Sequence, residues 1–498
     1  MHGGDRVAQV LANHGVTAIY TLCGGHISPI LSGCKMRGID VVDTRHEANA
    51  VFAADAHARL SGIPGVAAVT AGPGVTNAVT ALKNAQLAQS PLVLLGGTSA
   101  TVLRGRGSLQ DIDQMSLMKP ATKWAVSVSR VADIQPTLEK AFEVAASGVP
   151  GPVFVELPID VLYPEAMVRE WYGAKGGDQA GGLAGRAVQW YLNHHTGRLF
   201  RGADKAVQRS PVEQLVLSLE QSFEAGRDQA QIETLGRLVA GKLRKAKRPV
   251  MLLGSQVTLS PGRIPGVVAA IERLGIPVYL SGTARGLLGA NHPLQYRHQR
   301  RAALKEADLV LLAGVPCDFR LDYGMHIRRS ATLISVNRSL HDLKLNRLPT
   351  VPVWADPATF LEAVAEFAGP VGMREDWRNA MNEREAARER WIDDKAAEPA
   401  DQVNPVRLFR TLDGLLDERA VLVADGGDFV ATAAYTLQPR SPLSWLDPGV
   451  FGTLGVGGGF ALGARKVRPD SEVWILYGDG SSAYSLAEMD TFRRKGWP

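Results

Sequence analysis

The chain has 498 residues, 45% hydrophobic and 21% charged, an ordinary globular composition with enough length for about three domains. Disorder, collagen and coiled coil are excluded. Fifty-five Lys and Arg stand against fifty Asp and Glu, and the resulting net charge of +5 is scattered along the sequence, which argues against a nucleic-acid groove and for small anionic partners. Cys23, Cys34 and Cys317 form neither a metal-ligand spacing nor a disulfide framework, so they are expected to be core thiols in a reducing compartment. No apolar run approaches the roughly 18 residues of a membrane span, and Met1–Gly15 lacks the apolar segment of a signal peptide.

In chain order, Asp5 is expected to cap a first helix with Val7, Val10 and Leu11 on one face, which Gly15 stops. Val16–Leu22 and Ile39–Thr44 are expected strands, with a helix opened by Ser28-Pro29 between them. Glu47–Leu60 follows as a helix, then Val66–Thr70, Leu92–Leu95 and Val153–Leu157 as buried strands. Such βαβ alternation implies a parallel sheet covered on both faces. The pattern breaks at Lys175-Gly176-Gly177 and Gly181-Gly182, where a long connection runs to about Ala246. Within it, Gly185–Arg201 interleaves Trp190, Tyr191, Leu192, Leu199 and Phe200 with Arg186, His194, His195, Arg198 and Arg201. That composition suits a membrane surface or a partner groove, although a helix packed on its own protein is the preferred reading. Arg248–Leu253, Ile276–Leu280, Asp308–Gly314 and Leu333–Val336 outline a second doubly wound unit. A charged helical linker over Arg374–Asp401 leads to a third unit opening at Asn404-Pro405, with strands Val421–Ala424 and Glu472–Tyr477. The fold class expected is therefore α/β, with three doubly wound parallel-sheet domains, the last cut short at Pro498.

Several turns at strand ends could carry chemistry. Gly478-Asp479-Gly480-Ser481-Ser482 follows an apolar strand, which puts a carboxylate and free backbone N–H groups where a phosphate and its divalent cation would sit; an Asp capping a tight turn is the plainer alternative. The glycines of Gly452–Gly459 would let a backbone approach a ligand closely, but Gly455 and Gly457 are followed by Phe460 rather than Gly, so the dinucleotide fingerprint fails. No Gly-Lys-Ser/Thr phosphate loop is present. Arg45-His46-Glu47 and Gly72-Pro73-Gly74 both lie where parallel sheets bind ligands, though a glutamate at a helix start is also favoured by the dipole.

In this order, Arg45-His46-Glu47, Gly72-Pro73-Gly74-Val75-Thr76-Asn77, the Gly452–Gly463 stretch and Gly478-Asp479-Gly480 resemble the thiamine diphosphate-dependent enzymes of the acetolactate synthase-like branch, which includes benzaldehyde lyase and 2-hydroxyacyl-CoA lyases. The resemblance covers nearly the whole chain. It implies a pyrimidine-binding domain over residues 1–165, a linker over 166–245, a central domain over 246–370, a charged linker over 371–403 and a diphosphate-binding domain over 404–498. It further implies a homodimer or homotetramer, with the active site shared between subunits.

By the same resemblance, Glu47 hydrogen-bonds the aminopyrimidine of the cofactor and favours the tautomer that removes the thiazolium C2 proton. Gly72, Pro73, Asp428, Phe429, Gly478, Gly480 and Ser481 line the cofactor, Leu454 props it in a bent shape, and Asp479 holds Mg2+. His26 and Gln110 match substrate-side residues, with His26 placed to move the proton of a 2-hydroxyl group. The family's second metal ligand, an Asn beyond Gly-Asp-Gly, falls past Pro498, so the chain is expected to be a fragment with a weak metal site. Related enzymes hold CoA, ADP or FAD in the central domain, which makes FAD a candidate cofactor and Arg285 and Arg338 candidate nucleotide contacts, solvated surface arginines being the alternative. The expected activity is cleavage of a 2-hydroxyacyl-CoA to an aldehyde and formyl-CoA. Acetolactate synthesis from pyruvate and a non-catalytic membrane-associated subunit are the rivals. The relatives leave the compartment between cytoplasm and endoplasmic-reticulum membrane.

Overall fold

The computed structural model describes residues 2–175, 183–203 and 229–498. The chain divides into two compact units, one of Met1–Pro211, Pro448–Val467 and Ala483–Pro498, the other of Val212–Asp447 and Arg468–Ser482.

In the first unit, β1 (Ala18–Thr21), β2 (Asp40–Asp43), β3 (Gly65–Val69), β4 (Leu92–Thr98), β5 (Trp124–Ser127) and β6 (Pro152–Pro158) form one sheet in the order β2-β1-β3-β4-β6-β5. Every pairing is parallel, with Gly65 opposite Leu92 and Leu92 opposite Pro152. All residues of β3, β4 and β6 are buried, which explains why these strands read as continuous apolar runs rather than alternating ones. β5, which the apolar pattern alone did not reveal, is an edge strand of half-buried residues.

The first helix, Gly3–Asn13, corrects the expected cap. His2 is the N-cap and Asp5 sits at the third helical position: His2 Nδ1 accepts the Asp5 N–H at 3.2 Å, and the Asp5 carboxylate accepts the His2 N–H at 3.0 Å. Both orphan donors are met reciprocally, as in a capping box. The Leu183–Phe200 helix puts Leu199 and Phe200 against the core of this unit, while Trp190 and Tyr191 remain 68% and 50% exposed. Gly176, Gly177, Gly181 and Gly182, and residues 204–228 of the connection, lie outside the described residues. Cys34 and Cys317 are buried as expected, but Cys23 is exposed, because it falls in the turn after β1 and not in the strand.

The second unit carries two parallel sheets. β7 (Pro249–Leu253), β8 (Val278–Leu280), β9 (Leu309–Ala313), β10 (Thr332–Asn337) and β11 (Val351–Trp354) run in the order β11-β10-β9-β7-β8. β12 (Val421–Asp425), β13 (Trp445–Leu446) and β14 (Val473–Tyr477) run in the order β13-β12-β14. β11 and β13 are short edge strands of four and two residues, too brief to stand out by composition. The Glu375–Ala397 helix is less solvated than its charge suggests: Trp377, Met381 and Ile392 are buried, and the Trp377 indole donates to the Pro249 carbonyl at 3.2 Å. Among the described residues, no helix is long and apolar enough to cross a membrane.

Candidate active site

In the first sheet, β2 lies on one side of β1 and β3 on the other. Successive connections therefore depart in opposite directions, and a crevice opens at the carboxyl ends of β1 and β3. Three expected site residues come together at these strand ends. Glu47 is the first residue of the Glu47–Ser61 helix, after β2, and is 6% exposed. Asn77 donates to Glu47 Oε2 at 3.0 Å, and a Cβ on Gly74 would lie 3.5 Å from Glu47 Oε1. The carboxylate thus lies beside the Gly72-Pro73-Gly74 turn. His26, following β1, is half-buried; its Nδ1 lies 3.3 Å from Thr70 Oγ1. Burial lowers its pKa below the ordinary value.

Gln110 has a left-handed backbone, φ 62°, and so does Gly72, φ 60°. A Cβ on Gly72 would stand only 2.9 Å from the Gln110 Cβ, so glycine at 72 is required both by its conformation and by this approach. The residue that sequence reasoning missed is Gln114, 1% exposed. Its Oε1 accepts the Gly72 N–H at 2.9 Å, while its Nε2 donates to the Gly97 carbonyl at 3.0 Å and to Glu156 Oε1 at 2.9 Å. Arg104 in turn donates to Glu156 Oε2 at 2.8 Å. No local signal marks Gln114; only its partners do.

Two glycines of the Gly452–Gly463 stretch, Gly459 and Gly463, lie against the Glu47–Ser61 helix. A Cβ on Gly459 would meet Phe52 Cβ at 2.6 Å and the Asn49 carbonyl at 2.8 Å, and one on Gly463 would meet the Ala53 carbonyl at 2.3 Å. These glycines let the Val456–Val467 helix pack directly on the Glu47–Ser61 helix, and they approach protein backbone, not a ligand. Glu488, fully buried, accepts the Arg45 N–H at 2.8 Å and the Asn49 amide at 3.0 Å, and Thr491 donates to it at 2.8 Å. It holds the backbone just ahead of Glu47. Leu454 is 37% exposed, next to Gly455, whose φ of 91° and close neighbour Tyr484 Cβ, 2.8 Å from a built Cβ, exclude a side chain.

In the second unit the same topology recurs. β13 and β14 flank β12, so the turns after β12 and β14 are neighbours at a switch point. The Ser481 hydroxyl lies 2.9 Å from the Asp425 carbonyl and 3.0 Å from that of Gly478, within donating reach of both, tying the two turns together. Gly426, φ 113°, packs against this hydroxyl, 3.0 Å from a built Cβ. Asp428, Asp479 and Gly480 are exposed, and nothing lies within 4 Å of a Cβ built on Gly427 or Gly480. Phe429 is half-buried and packs against Phe409, with ring centroids 4.7 Å apart and the planes tilted by 53°. Two helix starts, Gly427 and Asp479, face open space with a carboxylate on each first turn, an arrangement that fits a diphosphate held through a hard cation.

Among the described residues, the grouping able to hold a metal by side chains alone is His298, Glu385 and Glu389. Its chemistry opposes that role. Burial acts to raise the Glu389 pKa, but hydrogen bonds from His298 and Arg410 and the charge of Arg297 bring it down to about 2; the carboxylate is already occupied. Arg338 is not a free nucleotide contact either, since its guanidinium is paired with Asp356. Arg285 is no solvated surface arginine: it donates to the Ala434 carbonyl at 2.8 Å and lies over the Trp445 ring.

Comparison with known proteins agrees with the three parallel-sheet domains. Residues 1–117 match the thiamine pyrophosphate enzyme N-terminal TPP binding domain, residues 237–364 the central domain, and residues 425–498 the C-terminal TPP binding domain. The chain belongs to the thiamine diphosphate-dependent enzyme family. Among its relatives, 2-hydroxyacyl-CoA lyase 2 of Danio rerio is 51% identical over 502 residues, covering 100% of this chain and 79% of that protein. The human protein of the same name is 52% identical over 505 residues, covering 100% and 77%. The acetolactate synthase large subunit of Mycobacterium tuberculosis is 33% identical over 497 residues, covering 99% and 81%.

Proposed function

We propose that this enzyme is a carbon–carbon lyase that cleaves a 2-hydroxyacyl-CoA thioester to an aldehyde and formyl-CoA. The observation that carries the reading is the convergence of Glu47, His26 and Gln110 on the strand-end crevice of the first sheet, in a chain about half identical to proteins named 2-hydroxyacyl-CoA lyase 2. Thiamine diphosphate, when bound, supplies a carbon nucleophile and an electron sink for breaking a bond next to a carbonyl. Glu47 would hold the aminopyrimidine, its other oxygen fixed by Asn77. Asp479 and the first-turn N–H groups after Gly478 would hold the diphosphate through Mg2+, with Asp428 and Phe429 beside them and Leu454 beneath the ring system. His26, neutral at pH 7 because burial lowers its pKa, would take the 2-hydroxyl proton as the aldehyde departs. Gln110, fixed against Gly72, would orient the substrate carbonyl.

The test offers a long-chain 2-hydroxyacyl-CoA and pyruvate in parallel, with thiamine diphosphate and Mg2+ present. Aldehyde and formyl-CoA from the first, without acetolactate from the second, are expected. Acetolactate alone would overturn the lyase reading in favour of carboligation, and no product from either would leave a binding subunit.

A further inference from the structure

The loop from Ser99 to Asp113 joins β4 to the Gln114–Met118 helix and carries Gln110. Its crest, Arg104–Gly107, is exposed, and Gly105 and Gly107 are left-handed with open space around them. Asp111, next to Gln110, closes the loop on itself: it accepts the Ser99 hydroxyl at 3.0 Å and the Gly105 N–H at 2.6 Å. Gln110 is thereby tied to the chain on either side of Thr101.

Thr101 roots the loop on Asp160, which is fully buried just past β6. Asp160 Oδ2 accepts the Thr101 N–H at 2.9 Å, the Thr101 hydroxyl at 2.5 Å and the Tyr172 hydroxyl at 2.6 Å, while Oδ1 is buried with no hydrogen-bond partner. These donors are neutral, and a buried carboxylate depends on each of them. The Thr101 oxygen also lies 2.7 Å from His195 Nε2. A hydroxyl has one proton to give. Thr101 gives it to Asp160, so His195 Nε2 must carry a hydrogen and donate it to Thr101. Burial lowers the His195 pKa below the ordinary value, which leaves a neutral ring with that single N–H. The ring stacks on Tyr191, centroids 6.0 Å apart, and meets Tyr172 edge-on at 6.4 Å. Its helix, Leu183–Phe200, is seated by the buried Thr196 and Leu199.

We propose that His195 is a positioning residue for the substrate side of the site: through the Thr101 hydroxyl it completes the Asp160 network that holds the Gln110 loop against the Gly72 turn. The part given to Gln110 rests on the lyase reading, whereas the order of the loop can be read without turnover.

Two measurements on the enzyme saturated with thiamine diphosphate and Mg2+ test this: deuterium exchange of the backbone amides of residues 99–113, and cleavage of a 2-hydroxyacyl-CoA. In His195→Ala the loop amides should exchange at least about fivefold faster, and kcat should fall by a similar factor as the substrate loses its orientation, with cofactor affinity unchanged. His195→Gln, whose amide can still donate to Thr101, should restore both, and His194→Ala on the exposed face of the same helix should alter neither. In a Thr101→Val background, His195→Ala should add less than about twofold, because the partner it acts through is gone. Thr101→Val nearly keeps the side-chain volume, so on its own it carries the test where His195→Ala fails to fold. Loop exchange unmoved by either substitution, no rescue by glutamine, or an equal effect of His195→Ala with and without the Thr101 hydroxyl would overturn the proposal. A wild-type enzyme that releases no aldehyde would overturn the lyase reading instead, and the exchange measurements would still decide what His195 holds.

Discussion

Gln114 ties the Gly72 turn to Glu156 through one buried amide: its oxygen accepts the Gly72 N–H at 2.9 Å and its nitrogen donates to Glu156 at 2.9 Å. The turn that abuts both Glu47 and Gln110 is thereby fastened to the strand ends of β4 and β6. Gln114→Ala is expected to lower stability by about 2–3 kcal/mol, since it strands a buried N–H, a carbonyl and a carboxylate oxygen. It should also weaken thiamine diphosphate binding. Urea unfolding and cofactor titration check the two effects, and unchanged values in both would remove the role assigned to Gln114.

Glu47→Gln keeps the volume and hydrogen-bonding reach of the side chain but removes the carboxylate. Hydrogen–deuterium exchange at C2 of bound thiamine diphosphate should slow by two or more orders of magnitude, on the order of 3 kcal/mol in barrier. Wild-type exchange in this variant would refute the placement of the aminopyrimidine on Glu47.

Gly463→Ala should destabilise the first unit by roughly 2 kcal/mol or more, because the added methyl would stand 2.3 Å from the Ala53 carbonyl and one helix would have to move off the other. Gly197→Ala is the contrasting case. Gly197 lies inside the Leu183–Phe200 helix with open space around it, so alanine there should stabilise by about 0.5–1 kcal/mol. Thermal unfolding of the pair separates a packing role from mere helix propensity.

His57 carries a stability dependence on pH. It is 5% exposed and lies 2.9 Å from the Tyr20 hydroxyl; burial, then the charge of Lys466, lowers its pKa from 6.5 to about 4. Between those values the unfolded chain binds a proton that the folded chain refuses, so the stability present above pH 6.5 is lost as pH falls towards 4. The loss amounts to on the order of 3 kcal/mol. His57→Gln should show a shallower decline than the wild type in denaturant melts across that window; parallel curves would contradict it.

Asp479→Asn should raise the Mg2+ concentration needed for thiamine diphosphate binding at least tenfold, while Ser482→Ala on the same turn should change it little. Cofactor binding followed at graded Mg2+ reads both. Equal behaviour of the two variants would argue that the exposed carboxylate of Asp479 is not the metal's ligand.

Short-range features were plain in the sequence by itself: the apolar runs of β3, β4, β9 and β12, the Asn404-Pro405 helix start, and Glu47 and Asp479 at the ends of strands. Each depends on residues within a few positions of one another, where hydrophobic period and turn chemistry act directly. Strand adjacency is different, because it depends on how connections cross the sheet. Only the tertiary structure put His26 beside Thr70 and Gln110 against Gly72. It also decided that Gly459 and Gly463 serve helix packing, and that Glu488 bonds the Arg45 backbone across a separation of 443 residues. Gln114 and Glu488 have no mark of their own in the sequence. A buried polar side chain is defined by the partners that compensate its removal from water, and here those partners come from elements far apart in the chain.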